Sequence, residues 1–477
     1  MTAVTRRHAL KGAAAAAVFA PAIFVGRGTR AALPALPSLP ATDALLLRPG
    51  DANFARYQPA FNARTMLAPQ LRVLCKTANS VGVMVNWCHS NSVPFALRSG
   101  GHSYEGFSES TSIVIDTRLM NSVTIDKTTN TARVGAGAAL GTVYKACAAH
   151  GLAFSGGSCP TVGVSGHTLG GGYGYLARSL GLACDNVLSI DLIDPQGHQV
   201  HADAQQNPDL FWACRGGGGG SFGAVTGFGL QLHPLKNVFV FQIDWPPLAV
   251  DRAVAIMKEW QAWAPQAPQS IASNFVISQH AGGSITLSCS GQSIGTLQEL
   301  KRELKGLSAS PNVEQKSYID SIDYFSGGWT YASEPMKGKS DYAASPLTET
   351  GLTALMNDVS RNAGIYVICD PYGGAISATA ANATAFAHRA GTLFCLQYGS
   401  IWTHPSETLE RLRNMQNFYA AMRPYVSGAA YVNYCDLDLG ANFATAYWGD
   451  NLARLKQIKS AFDPDNVFRH AQSVPLA

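Results

Sequence analysis

Apolar and polar positions change period repeatedly along the chain, and the changes lay out its elements. Val73, Leu74, Thr77 and Val81 fall at helical spacing, which predicts a helix within residues 62–90. Phe95-Ala96-Leu97 is a short apolar run that ends at Arg98-Ser99-Gly100-Gly101-His102, so it reads as a strand running into a turn. Residues 113–116 predict another strand, and 123–126 followed by 131–134 predict a hairpin. Residues 140–150 read as a helix closed by Gly151, a residue suited to a helix C-terminus. A strand at 187–192 runs into the turn Asp194-Pro195-Gln196-Gly197, and 225–232 is again strand-like. Between 236 and 427, alternating stretches at 271–278 and 284–290 mix with helical ones such as 251–263. That mixture predicts an antiparallel sheet with helices on one face. Leu452, Leu455, Ile458 and Phe462 mark an amphipathic helix over 451–462, stopped by Asp463-Pro464. Residues 32–51, rich in Pro, Ala and Leu, read as a linker. There is no internal repeat.

With 477 residues the chain is too long for one ordinary domain, and two closely packed domains of α+β class are expected. A hydrophobic content of 47% against 14% charged residues suits a large core and excludes wholesale disorder. The formal charge of +4 misleads, because Arg6, Arg7, Lys11, Arg27 and Arg30 precede Ala32 with no acidic residue among them. Without that segment the balance turns slightly negative, which leaves no electrostatic footprint for nucleic acid. The segment pairs two arginines with the apolar run 13–25 and small residues at Ala31-Ala32, the pattern of a twin-arginine (Tat-type) export signal. The run is shorter than a bilayer requires, and no other stretch is apolar enough to span one. Export then makes some pairing among the ten cysteines conceivable, Cys75 with Cys88 for example, although sequence does not fix connectivity. No cysteine or histidine cluster has metal-site spacing, so no metal is expected.

Three stretches carry candidate chemistry. In Arg98-Ser99-Gly100-Gly101-His102-Ser103-Tyr104, adjacent glycines after a strand can turn successive N–H groups one way and make a nest for a diphosphate. An ordinary glycine turn with a surface histidine fits the same residues. The second stretch runs from Ser155 through Cys159, Thr161, Val162, Gly163, Gly166, His167 and Gly172 to Gly174. So many glycines give up backbone entropy without packing return unless the chain lies close against something, and a flat ligand would explain them. The third, Tyr431-Val432-Asn433-Tyr434-Cys435-Asp436, is ambiguous with core packing. Gly218-x-Gly220-x-x-Gly223 matches a dinucleotide fingerprint, but a strand pattern rather than a helix follows it. Gly163-Val164-Ser165-Gly166-His167 lacks the last glycine of a nucleophile elbow, which disfavours a serine hydrolase.

Taken together with Asp370-Pro371-Tyr372-Gly373-Gly374 and residues 462–473, these motifs resemble the berberine-bridge-enzyme-like oxidases of the vanillyl-alcohol-oxidase superfamily. The resemblance implies a two-part PCMH-type FAD-binding domain, residues 33–235 and 428–477. A substrate domain, residues 236–427, would have an antiparallel β-sheet covered by helices, and residues 1–32 would be the signal. It implies FAD tethered at its 8α-methyl by His102 and at C6 by Cys159. Backbone groups of Arg98, Ser99, Gly100 and Gly101, and of Thr161, Val162, Gly163 and Gly166, would cradle the cofactor together with Ser103, Gly172 and Asn433. His167 would stand by the N1/C2 side and help hold the anionic reduced ring, while Gly223 and Val225 would flank the adenosine part.

The resemblance further implies hydride transfer from an alcohol or carbohydrate hydroxyl carbon to flavin N5, with O2 reoxidation giving hydrogen peroxide. Tyr434 is the expected base, with Tyr104, Tyr173 and Gln397 lining the pocket and Asp370 supporting the base. A phenol, whose ordinary pKa is about 10, needs cationic or hydrogen-bond support for that role. Gln397 stands where alkaloid-oxidising relatives use a carboxylate base, and an amide cannot serve as one. Val162 stands at the position that gates oxygen. The alternatives are oxidation or cyclisation of a secondary metabolite, a dehydrogenase with a non-oxygen acceptor, and a non-catalytic flavin- or carbohydrate-binding protein. A monomer with small-molecule partners is expected.

Overall fold

The computed structural model describes residues 32–326, 328 and 333–477. The arginine-pair segment lies outside the described residues. Among those described, no helix is long and apolar enough to cross a membrane.

Three sheets carry the architecture. The first holds four strands in the order Ala44–Leu47, Leu71–Cys75, Ile113–Asp116 and Phe95–Arg98. Its last three strands are parallel and Ala44–Leu47 joins them antiparallel. Two sequence expectations change here. Val73 and Leu74 belong to a strand, because all five residues of Leu71–Cys75 are buried on both faces and such a run shows no period-two signal. The helix begins only at Ala78, behind a Thr77–Ser80 capping box. Residues 32–51 are no free linker either. Ala44–Leu47 pairs with the sheet, Leu33, Leu36 and Leu39 pack against the same core, and the Trp87 indole donates to the Ala35 carbonyl at 2.9 Å. A Pro-rich stretch cannot form ladders along its length, but it can still bury leucines.

The second sheet is antiparallel, in the order Val123–Asp126, Thr131–Gly135, Ala224–Gln231, Val187–Ile193 and Gln199–Asp203. The expected hairpin and both later strands are present. Helix Ala78–Ser90 packs between the first two sheets, where Val81, Met84 and Val85 share a core with Ile193 and Ala224. The C-terminal segment returns to the second core through Trp448, Leu455, Ile458 and Val474. It is locked there by Lys459, fully buried, which donates to Asp463 at 2.6 Å and to the carbonyls of Ser221 and Phe468.

The third sheet has seven strands, in the order 312–317, 237–244, 285–293, 271–279, 365–371, 394–401 and 336–343. Each pairing is antiparallel. Helices Val250–Trp263, Glu349–Arg361 and Thr408–Met422 cover one face, meeting Phe275, Ile277, Val367, Leu396 and Tyr398. The opposite face carries Asn274, Ser290, Tyr366, Ile368 and Gln397. Every residue of Ile271–Gln279 but the last is buried, yet the run still alternates, because one face meets helices and the other meets polar groups. All ten cysteines are unpaired, Cys75 and Cys88 included, and nine are buried as small apolar side chains.

Two glycines join the loop after Phe95–Arg98 to the loop that opens helix Val164–Leu169. A Cβ on Gly100 would stand inside the backbone of Gly163, and the reverse holds for Gly163. We therefore expect Gly100→Ala to force the loops apart and cost about 1–3 kcal/mol, read as a lowered unfolding temperature; an unchanged temperature would contradict this packing.

Candidate active site

A cavity of about 340 Å³ lies where the three sheets and the C-terminal segment meet. Its geometry starts from Arg98 at the end of its strand. The guanidinium is buried, paired with Glu109 and donating to the Pro59 carbonyl, so its charge is engaged within the protein. Gly101, at φ +72°, bends the chain over this guanidinium, where a Cβ would collide with it. That turn delivers His102, whose ring stacks on Phe61 at 4.5 Å.

His102 Nε2 lies 3.1 Å from the Thr161 hydroxyl, and the same oxygen lies 3.4 Å from Cys159 Sγ. One hydroxyl thus lies within reach of both the imidazole nitrogen and the thiol, whose residues line the cavity. Burial, aided by the nearby Arg98 charge, lowers the His102 pKa to about 3, so its imidazole is neutral at working pH. A neutral imidazole keeps a nitrogen lone pair available for bond formation.

His167, from helix Val164–Leu169, accepts the Gly157 N–H at Nε2, 3.0 Å away. That bond places the ring proton on Nδ1, and burial lowers the pKa to about 4. His167 therefore brings a dipole to the cavity rather than a positive charge. Gly157 and Gly172 enclose it, since a Cβ on either would press on the ring. Asn433 Nδ2 donates to the His167 carbonyl and to the Tyr431 hydroxyl, both at 2.9 Å. The Tyr431 oxygen also receives the N–H groups of Gly172 and Tyr173. The C-terminal segment is pinned to the glycine tract in this way.

The far wall is aromatic. Tyr104 stacks parallel to Tyr434 with ring centres 5.5 Å apart, and Gln397 Nε2 donates to the Tyr104 hydroxyl at 2.6 Å. The Tyr173 hydroxyl donates to the Pro371 carbonyl at 3.0 Å, and its ring stacks on Tyr372.

Of the residues singled out in the sequence, Tyr104, Tyr173, Gln397, Tyr434, His102, Cys159, Val162, Gly163, His167, Gly166, Gly223, Val225 and Asn433 line the cavity, as do 98–101 and Ser103. Three do not. Thr161 lies behind the His102–Cys159 wall, and Gly172 lies behind His167. Asp370 shares a strand face with Tyr366 and Ile368 but is beyond the lining. There it accepts from Asn274 at 3.1 Å, and Asn274 in turn accepts from Tyr175 and Ser290. That carboxylate joins a buried polar network of the third sheet.

The glycines also divide in two. Several of the tract make room for the protein itself, Gly100 against Gly163 being the clearest case. Gly166 has open space where its Cβ would be, and Gly217–Gly220 line the cavity. Strand Ala224–Gln231, not a helix, follows Gly223, as its pattern predicts, whereas the role of the glycine run as cavity wall emerges only in the fold. Five successive glycines were the available signal. So does that of His470, which stacks on Phe107 and whose Nε2 lies 3.1 Å from the Gly219 carbonyl; nothing in the local sequence marks it. A glycine floor, an apolar and aromatic far wall and two nucleophiles on one edge suit a flat dinucleotide cofactor such as FAD.

Comparison with known proteins fits this geometry. Residues 69–203 match the model of an FAD binding domain, and 430–475 match one described as berberine and berberine like. Berberine bridge enzyme-like 4 of Arabidopsis thaliana is 32% identical over 494 residues, covering 92% of each chain. The solved structure of BBE-like 1 from Physcomitrella patens superposes with a TM-score of 0.85 at 30% identity, over 91% of this chain and 97% of that one. Phl p 4, described as a grass pollen allergen with glucose dehydrogenase activity, gives 0.84 at 30% identity, over 92% and 98%. With an FAD-binding fold, a two-nucleophile cavity and relatives matched along almost their whole length, the chain belongs to the berberine bridge enzyme-like family of FAD-dependent oxidoreductases.

Proposed function

We propose that the protein is an oxidase of alcohol or carbohydrate hydroxyl groups whose FAD is held by two covalent bonds, to His102 and to Cys159. The observation that carries this reading is the approach of His102 Nε2 and Cys159 Sγ, both from cavity-lining residues, to one hydroxyl, that of Thr161. Two attachment points on adjacent loops would hold a flat ring along one edge, with Tyr104 and Tyr434 available to substrate. Residues 33–235 and 428–477 form the FAD-binding part and 236–427 the substrate part, with 1–32 as the export signal. Bound FAD supplies the two-electron oxidant for the substrate carbon.

The chain's own residues then orient the substrate and take its proton. Tyr434 receives the hydroxyl proton. Tyr104 stacks against it, and Gln397 holds the Tyr104 oxygen in place by donating to it. His167 presents its Nδ1–H, a neutral donor. Arg98 and Arg469 are the charged residues among the described lining, and Arg98 is spent on Glu109. With no carboxylate in that lining, a cationic alkaloid finds no counter-ion, which favours a neutral substrate. Phe61, Tyr104 and Tyr366 offer flat apolar faces on which a sugar or an aromatic alcohol can stack. Val162 lines the cavity beside Cys159, and its modest side chain leaves oxygen a path. The glucose dehydrogenase activity in the description of Phl p 4 supports a carbohydrate donor. It also favours a second reading, a dehydrogenase that passes electrons to an acceptor other than oxygen.

Acid-precipitated protein should stay yellow, and peptide mass spectra should carry the flavin on both His102 and Cys159. Colour that washes out completely would refute covalent attachment. His102→Ala or Cys159→Ala should leave one bond, and the double variant should release the flavin. Tyr434→Phe should slow anaerobic flavin reduction by about 10²–10⁴-fold with little change in substrate binding; an unchanged rate would reassign the base. A panel of glucose, cellobiose, benzyl alcohol and coniferyl alcohol, followed by oxygen uptake and peroxide release, identifies the donor class. Val162→Leu should slow reoxidation by oxygen while a dye acceptor still turns over. Dye turnover without oxygen uptake in the parent protein would establish the dehydrogenase reading instead.

A further inference from the structure

Beside the cavity, out of its lining, lies a buried cluster of charges. Lys337 Nζ donates to Glu105 at 2.5 Å and to Asp436 at 2.6 Å, and lies 3.2 Å from Asp438. Lys339, two residues along the same edge strand, pairs with Asp436 at 2.7 Å and Asp438 at 2.5 Å. Arg64 pairs with the other oxygen of Glu105 at 2.8 Å. The side chains of Lys337, Lys339, Glu105 and Asp436 are each no more than 3% exposed. Burial alone would lower the Lys337 pKa, but the attraction of Asp436 and Glu105 reverses the sign and raises it, so the ammonium stays charged.

What matters is where those carboxylates sit in the chain. Glu105 directly follows Tyr104, and Asp436 is two residues after Tyr434. One ammonium therefore ties together the backbones that carry the two stacked phenols, although these belong to segments more than three hundred residues apart. The tie is reinforced on each side. Asn62 donates to the Tyr104 carbonyl at 2.6 Å and to the Met336 carbonyl at 3.1 Å, and accepts the Met336 N–H at 3.0 Å. Asp436 is held from behind, its N–H donating to the Tyr447 hydroxyl at 2.9 Å while its carbonyl accepts from Gln472 at 2.7 Å. Gly338, between the two lysines, packs against the Tyr104 ring, where a Cβ would not fit. The strand that sends its lysines to the carboxylates thus seats the phenol on its other face.

We infer that Lys337 is a positioning residue for the Tyr104–Tyr434 pair: it sets the spacing of the two rings and biases the charge around Tyr434. The inference rests on reading Tyr434 as the base, and the test keeps the two apart. The groups that face Lys337 are Glu105 and Arg64 on the first loop, Lys339 on its own strand, and Asp436 and Asp438 on the C-terminal segment. Tyr419 and the Arg423–Asp341 pair lie beyond Lys339. Around Tyr434 stand the phenols of Tyr104, Tyr431 and Tyr342. Removing the Lys337 charge leaves a net negative change, which disfavours the phenolate and moves the Tyr434 titration to higher pH. Removing the Glu105 charge leaves a net positive change and moves it lower.

Lys337→Met, Lys337→Arg and Glu105→Gln holoenzymes are compared with the parent, each with and without Tyr434→Phe. The phenolate absorbance difference within each pair isolates the titration of Tyr434 without any substrate. Anaerobic reduction per bound flavin is measured with whichever of glucose, cellobiose, benzyl alcohol and coniferyl alcohol the parent oxidises fastest. Lys337→Met should raise the Tyr434 pKa by about half a unit or more and slow reduction roughly tenfold to a hundredfold at little changed KM. Lys337→Arg should recover most of the rate, and Glu105→Gln should shift the titration the other way. A titration unmoved in both Lys337→Met and Glu105→Gln, with reduction per flavin unchanged and only the unfolding temperature lowered, would overturn the inference and leave a structural role. Should Lys337→Met yield no soluble holoenzyme, Lys337→Gln carries the same readouts. A rate that Tyr434→Phe leaves untouched counts against Tyr434 as base, while the opposite titration shifts still decide the role of Lys337.

Discussion

Two loops can meet backbone to backbone only where neither carries a side chain, and the meeting of Gly100 with Gly163 is the contact from which the rest of the site follows. One loop carries His102 just beyond the contact, and the other carries Cys159 and Thr161 just before it. Their close docking brings an imidazole and a thiol to one hydroxyl. Move the loops apart by a methyl group and the shared edge is lost. On the same loop the Arg98 charge is paired with Glu109, and the histidine that the loop brings to the cavity is neutral.

Charge is handled consistently around this point. Arg72, Arg98 and Arg118 with Glu109 and Asp116 form a buried cluster under the loop, and Lys337, Lys339, Glu105 and Asp436 form another beside it. Buried ion pairs of this kind are weak arguments for net stability, since desolvation offsets most of their attraction, but losing one partner is costly. Their use here is geometric: each joins segments distant in sequence next to the cavity. The histidines between them, His102 and His167, are kept neutral by burial, so the cavity wall itself carries little charge. Around Tyr104 and Tyr434 the neutral aromatic wall leaves orientation to a few hydrogen bonds, such as the one from Gln397 to Tyr104.

Much of the fold could be read locally. The hairpin at 123–135, the helix from Leu140, the alternating strands at 271–279 and 285–293 and the closing helix before Asp463-Pro464 all follow from periodicity and capping. The misreadings share one cause. Leu71–Cys75 is buried on both faces, so period two is erased, and the leucines of 33–47 look like linker until the core that receives them exists. Within the site, residue types that carry chemistry were visible as His102, Cys159, Tyr104 and Tyr434. Phe61, Met336 and His470 were not, because an ordinary apolar or polar residue becomes a cavity wall only through distant packing.

The sequence alone therefore determined most of the element types, apart from the strands Ala44–Leu47 and Leu71–Cys75, together with the glycine-bearing loops and the resemblance that tied five separated motifs together, all of which depend on short-range spacing. Tertiary structure decided which glycines serve a ligand and which serve another loop, that Asp370 belongs to a buried polar network outside the cavity, and that one lysine joins the chain after Tyr104 to the chain after Tyr434. The reason is physical: a local pattern records which face of an element is buried, whereas what that face touches depends on contacts hundreds of residues away.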